Sequence, residues 1–268
     1  MTIQQVIDAI LAYHPGLSQD KPTCDGFKCG NPSDECRGIV TTCAASMKVI
    51  RKAIELGANL ILVHEPTFYT HMDPVEWLAG DPVYEQKRSL LDAHGIAVWR
   101  DHDHIHAHRP DGIFTGVMAE LGWLDYLEGE GFQGRIHLPK PVTVRALALY
   151  VKEKMNLNAV RYVGNPDVMV QNIAFGGHMC FGPEQDATRQ IMNPAVDVVI
   201  PGEVIDWTAM SYARDAAQQG RNKAILNVGH ISWEELGMKW MVNWLRPLVG
   251  ADMPITFVPS ADLYSFIQ

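Results

Sequence analysis

Leu60-Ile61-Leu62-Val63 is an unbroken apolar run set between Gly57 and Pro66. A strand that is apolar at every position is buried on both faces, the usual state of a strand inside a parallel sheet. Ahead of it, Ala45 to Leu56 places Met47, Ile50 and Ile54 on one helical face, and Gly57 follows as a C-terminal cap. Residues 37–42 read as a short strand before that helix. Strand, helix and strand in this order predict a right-handed parallel crossover. The order recurs later: a helix over 206–219, Gly220, the apolar strand Ala224–Val228, then Gly229 and His230. His64 and His230 thus both stand just past the carboxyl end of an apolar strand. That edge is where open α/β sheets bind ligands.

The rest of the chain keeps the alternation. The pattern predicts helices over 2–13, 82–94, 113–121, 142–154, 183–191 and 233–246. Strands are expected at 96–99, 159–163, 168–175, 196–200 and 254–258. Residues 14–35 read as irregular, and 126–140, with Gly, Pro and mixed charge, as a bridge between two halves. The fold class is α/β.

Composition removes several functions. Lys and Arg number 22 against 31 Asp and Glu, a formal charge of −9, so a general grip on nucleic-acid phosphates is not expected. There is no run of about 18 apolar residues to span a membrane. The N-terminus begins an amphipathic helix and lacks the layout of a signal peptide. The cysteines (24, 29, 36, 43 and 180) are five and include no CxxC pair. They predict reduced thiols and a cytoplasmic protein rather than a disulfide framework.

Seven of the eleven histidines fall between His64 and His108. His64-Glu65-Pro66 sets an imidazole beside a carboxylate where Pro66 ends the strand, and both groups ligate borderline divalent ions. Position 68 is Phe, so this is not an HExxH zinc motif. Asp101-His102-Asp103-His104-Ile105-His106-Ala107-His108 repeats histidine at every second position; in an extended chain all four would share one face. Four imidazoles in a row need polar partners for their nitrogens, which favours metal or catalytic use over a solvated loop or a pH switch. Gly229-His230-Ile231-Ser232-Trp233-Glu234-Glu235 contains a capping box, Ser232 to Glu235, predicting a helix from Trp233. His230 and Glu234 are then spaced to meet. Phe175-Gly176-Gly177-His178 resembles a glycine turn that admits a ligand, and Pro201-Gly202-Glu203 ends a strand at the ligand edge. No GxSxG elbow or P-loop occurs.

Together these segments resemble the Nif-three-like proteins, some of which are described as GTP cyclohydrolase I type two. The matching segments are Asp25-Gly26-Phe27-Lys28-Cys29-Gly30, Leu60–Pro66, His102–His106 with Gly112, Pro201-Gly202-Glu203, and Gly229-His230 with Glu234 and Gly237–Lys239. The chain departs from the family in having Glu65 for a second histidine and His106 for an aspartate. Both replacements still ligate divalent ions.

The resemblance implies two related α/β domains with mixed, largely parallel sheets and the metal site between them. Residues 1–125 would form the first and 126–268 the second, with the C-terminal strand free to return to the first. It also implies a homohexamer. Each subunit would carry a dinuclear centre of two divalent ions (Zn, Fe or Mn). The ligands would be His64, Glu65, His106, His230 and Glu234. His102, His104, His108 and Glu203 would support them or face a substrate. Three functions follow: a metal-dependent hydrolase of a small nucleotide-like substrate, a non-catalytic metal-delivery protein, or a regulatory or scaffold ring.

Overall fold

The computed structural model describes residues 1–14, 16–17, 22–129, 134–260 and 263–267. In chain order the first elements are α1 (Ile3–Tyr13), β1 (Gly26–Cys29), β2 (Ile39–Thr42), α2 (Met47–Glu55), β3 (Leu60–Val63), α3 (Pro82–Ala93), β4 (Ala97–Arg100), α4 (Asp103–Ala107) and α5 (Gly112–Leu121). Then come β5 (Leu127–Glu128), β6 (Arg135–Thr143), α6 (Val144–Lys154), β7 (Arg161–Val163), β8 (Met169–Phe175), β9 (His178–Met179), α7 (Glu184–Met192), β10 (Val198–Ile200), β11 (Glu203–Val204), α8 (Ser211–Gln218), β12 (Ala224–Asn227), α9 (His230–Val249) and β13 (Ile255–Phe257). The fold is mixed α/β with largely parallel sheets, as the alternation predicts.

Two compact units result: Met1–Gly116 with Gly237–Ser260, and Val117–Leu236 with Ala261–Gln268. The first holds a five-stranded sheet in the order β1-β4-β3-β2-β13. Its three pairings from β4 to β13 are parallel, and β1 is antiparallel on the edge. Every residue of β2, β3 and β4 is buried, which explains why β3 is apolar throughout. Ile61, Val63 and Val98 pack with Val49, Ile50 and Ala53 of α2 and Leu91 of α3. α1 starts at a capping box in which Thr2 and Gln5 satisfy each other's backbone N–H, and it buries Ile3, Val6, Ile7 and Ile10 along one stripe.

The second unit holds a six-stranded sheet, β5-β6-β8-β10-β12-β7, and a separate parallel pair, β9 with β11. β8, β10 and β12 run parallel, while β6 and β7 are antiparallel to their neighbours. Val199 and Ile225 pack with Ile191, Ala209 and Ala213 in its core.

Four local expectations are corrected. Residues 135–143 form a strand, not part of a bridge; residues 130–133 of that expected bridge lie outside the described residues. Pro139 and Pro141 disguise the strand, and its register against β8 is irregular between His137 and Val142, so the prolines need not supply ladder N–H groups. Residues 26–29, read as irregular, form the edge strand β1. The histidine run is helical at α4, not extended, because Asp25 Oδ1 accepts the N–H groups of His102 (2.6 Å) and Asp103 (2.9 Å) and Oδ2 accepts that of His104 (2.9 Å). α9 begins at His230 rather than Trp233. Gly229 turns at φ +85°, and its carbonyl accepts the Trp233 N–H at 2.9 Å, so winding starts before the expected Ser232 cap. In addition, the helix read over 206–219 is broken at Thr208 (φ −94°, ψ −115°), and regular winding resumes at Ser211.

Candidate metal centres

In the first unit the carboxyl ends of β3 and β4 deliver His64-Glu65 and the Asp101–His108 segment. The helical turn matters here. With α4 wound, His102 and His106 fall on one side, four residues apart. Their rings lie 4.9 Å apart, and His64 stands 4.6 Å from His102 and 4.9 Å from His106. A nitrogen of each of the three rings lies within 4.8 Å of the others.

Each imidazole has its Nδ1 held by an oxygen. His64 Nδ1 donates to the Asp101 carbonyl (3.0 Å), His102 Nδ1 to Asp103 Oδ1 (2.9 Å) and His106 Nδ1 to Asp111 Oδ2 (2.9 Å). An acceptor at Nδ1 puts the hydrogen there and the lone pair on Nε2, the tautomer a metal ligand needs. Burial, reinforced by the neighbouring His64 and His106, lowers His102 to about 4, so its ring is neutral near pH 7. Burial works to raise the Asp103 carboxyl, but hydrogen bonds from Thr23, His102 and the Cys24 N–H outweigh it and hold the group well below the usual range.

Glu65 completes the group. Its Oε1 lies 4.0 Å from both His64 Nε2 and His102 Nε2. Its other oxygen faces the fully buried Arg100 at 3.5 Å. Arg100 also donates to the His64 carbonyl (2.8 Å) and to that of His71. A guanidinium reaching three points of one loop fixes that loop's path.

The remaining histidines of the run turn elsewhere. His104 Nδ1 bonds Asp25 Oδ2 at 2.6 Å. His108 stacks on Tyr13, with ring centroids 4.7 Å apart, and meets His14 at 3.3 Å. His14 in turn bonds the buried Asp101 at 3.2 Å. His71, which sequence reasoning leaves out of the site, sits edge-on to His102 at 5.4 Å.

The second unit gathers His178, His230 and Glu234, whose ligand atoms lie within 4.8 Å of one another. The helical spacing of His230 and Glu234 closes a 3.0 Å hydrogen bond at the start of α9. Glu234 is fully buried. The β9–β11 ladder pairs His178 with Glu203, whose carboxylate reaches His178 Nδ1 at 3.5 Å and His230 Nδ1 at 3.3 Å. The His178 and His230 rings are 4.3 Å apart. Cys180 Sγ donates to Glu203 at 3.4 Å, and burial together with that bond raises its thiol pKa.

The donor chemistry fits divalent metal in both units: imidazole nitrogen with carboxylate oxygen, and anchored tautomers in the first. Sequence reasoning weighted His178 lightly, although Gly176-Gly177 before it was a usable signal. It had no signal for the anchoring roles of Asp103, Asp111 and the Asp101 carbonyl, which depend on chain segments meeting in space.

Fold and donor clusters together define a mixed α/β protein with histidine–carboxylate groups able to hold metal. The Duf34/NIF3 (NGG1p interacting factor 3) family model matches residues 1–262, and the chain belongs to that family. It is similar to the Escherichia coli K12 protein named GTP cyclohydrolase 1 type 2 homolog, with 26% identity over 220 residues, covering 82% of this chain and 83% of the relative. A protein of the same name from Clostridium acetobutylicum is 24% identical over 218 residues, covering 78% of this chain and 76% of the relative. The fold matches the crystal structure of Staphylococcus aureus hypothetical protein SA1388, with a TM-score of 0.73, 17% identity, and coverage of 100% of this chain and 99% of that one. No helix among the described residues is long and apolar enough to cross a membrane.

Proposed function

We propose that this chain is a divalent-metal protein with a dinuclear centre of two ions per subunit. His64, Glu65, His106, His230 and Glu234 are its ligands. His102, His104, His108 and Glu203 support them or meet substrate. The reading extends to a metal-dependent hydrolase of a small nucleotide-like molecule, working in the cytoplasm as a homohexamer. The observation that carries it is the anchored trio His64, His102 and His106, each with Nδ1 bonded to an oxygen, the tautomer a metal ligand takes. The names of the curated relatives support the hydrolase part.

Bound metal would supply Lewis acidity and a water of lowered pKa. The chain's own residues prepare for it. Arg100 neutralises and steadies Glu65, the buried Glu234 orients His230, and Glu203 stands ready to accept a proton beside His178 and His230.

Elemental analysis of the gently purified protein, with its oligomer mass, tests the metal content and the ring. Two ions per subunit and a sixfold mass are expected; fewer than one ion counts against the dinuclear reading. A screen of phosphoesters, amides and purine nucleotides with Mn, Fe and Zn tests the activity. Turnover well above that of His230→Ala is expected, and none above it removes the hydrolase. Ready surrender of metal to a competing apo-protein would then mark a delivery protein, and retention a structural ring.

A further inference from the structure

The second unit carries a cavity of about 610 Å³ beside the Gly176-Gly177 turn, lined also by Arg135, Phe175, Gln190 and Asn193. Its volume is that of a small-molecule site. It opens at the carboxyl end of β8, the ligand edge of the sheet. The antiparallel register sets Arg135, at the start of β6, opposite Ala174 near the end of β8, so the guanidinium originates at that same edge. Three other arginines of the unit are spoken for: Arg145, Arg189 and Arg214 each pair with an aspartate. Among the described residues, no side-chain hydrogen bond or ion pair engages the Arg135 guanidinium, and none of those that line the cavity is acidic. In a chain of charge −9, a half-buried guanidinium facing this cavity is suited to an anion.

The turn is shaped to match. Gly177 has φ +54°, and a Cβ there would meet nothing within 4 Å, so the space above it is open. Its carbonyl is drawn away by the Gly202 N–H at 3.1 Å. The next residue is His178, a member of the metal-capable cluster. A molecule lying over Gly177 shares its cavity with Arg135, and the chain leads from that turn directly into His178.

We infer that this cavity is the subsite for the phosphate group of a small phosphorylated substrate, held by the fork of Arg135 over the Gly176-Gly177 turn. Arg is suited to this because its planar donors match phosphate oxygens in pairs. The inference rests on the nucleotide-like reading of the substrate given above and sharpens it, since a phosphate monoester is required rather than a free nucleoside.

Titration calorimetry on the full-length, metal-replete protein tests it with AMP and adenosine as probes. AMP is expected to bind at least about tenfold more tightly than adenosine, and inorganic phosphate should compete with it. Arg135→Gln should abolish that advantage, while Arg145→Gln, an exposed arginine elsewhere in the unit, should keep it. Equal affinity for AMP and adenosine, or an advantage that survives Arg135→Gln, overturns the subsite. A second measurement needs no variant: phosphate should protect Arg135 of the wild-type chain from phenylglyoxal, read by mass spectrometry, and absence of protection overturns it too. Metal content in the same samples separates the two readings. An Arg135-dependent preference in a chain that holds no metal leaves the subsite and removes the metal centre. Full metal with no such preference does the reverse.

Discussion

In the first unit each imidazole of the cluster hands its Nδ1 hydrogen to an oxygen outside the ring trio: the Asp101 carbonyl, Asp103 and Asp111. In the second unit His230 instead faces carboxylates beside it at both ring nitrogens, Glu203 and Glu234. The first arrangement is set before any ion arrives. To hold an ion the second would have to exchange internal bonds for metal bonds, and its Glu203 is half-buried. Similar donors thus make a prepared candidate site in one unit and an adaptable one in the other. The preparation is carried by buried charge. Asp73 accepts the N–H groups of Thr67 and Phe68, and Lys87 donates to the Thr67 carbonyl at 2.5 Å, pinning the chain just after Glu65.

The largest effect expected is from Asp25→Ala. Its carboxylate takes three backbone N–H groups and the His104 ring, so its loss should cost about 4 kcal/mol of stability by denaturant titration. It should also spoil metal binding by the first unit while sparing the second. Equal loss in both would break the comparison.

Next comes Lys87→Met. Burial lowers Lys87 to about 8 from 10.5, against the opposing pull of Asp73. Below pH 8 the lysine is charged in both states and the folded chain bears the full burial cost. Between pH 8 and 10.5 the unfolded chain holds a proton that the folded one has released, so stability rises with pH. The wild type should therefore gain on Lys87→Met by about 3 kcal/mol across that window in thermal or urea unfolding. A flat difference would show that Lys87 is not held charged against its burial.

Asp111→Asn is smaller. The asparagine oxygen can still accept the Phe114 N–H that starts α5, a bond of 2.8 Å in the native chain, but the anchor for His106 is weakened. Metal affinity of the first unit should fall roughly 10- to 100-fold with little change in unfolding, measured by chelator competition. The smallest change is expected for Glu203→Gln. A half-buried carboxylate near solvent contributes less than about 1 kcal/mol to stability, while the metal affinity of the second unit should fall measurably. If Asp111→Asn and Glu203→Gln proved equal in their effect on affinity, the distinction between prepared and adaptable sites would fail.

Much of the architecture was readable in the chain. β3 announces itself as a strand buried on both faces and apolar at each position, β12 as the apolar run Ala224–Leu226, and Gly57 and Gly220 end the helices before them. The segments that escaped were those whose partners override local preference: β6, with two prolines, and β1, which survives as an edge strand paired only with β4.

At the candidate site, the residue types and the i, i+4 pairing of His230 with Glu234 were determined by sequence alone, because helical spacing brings those two together wherever the helix lies. The sorting of the histidine run was not. Alternation along 102–108 suggested four equivalent rings on an extended face. A carboxylate 77 residues away, Asp25, wound that segment into α4 and sent His102 and His106 toward His64, His104 to Asp25 and His108 to Tyr13. A local pattern records how often a residue type recurs. Which ring meets a ligand depends on a long-range hydrogen bond to the backbone, and only the tertiary structure supplies that.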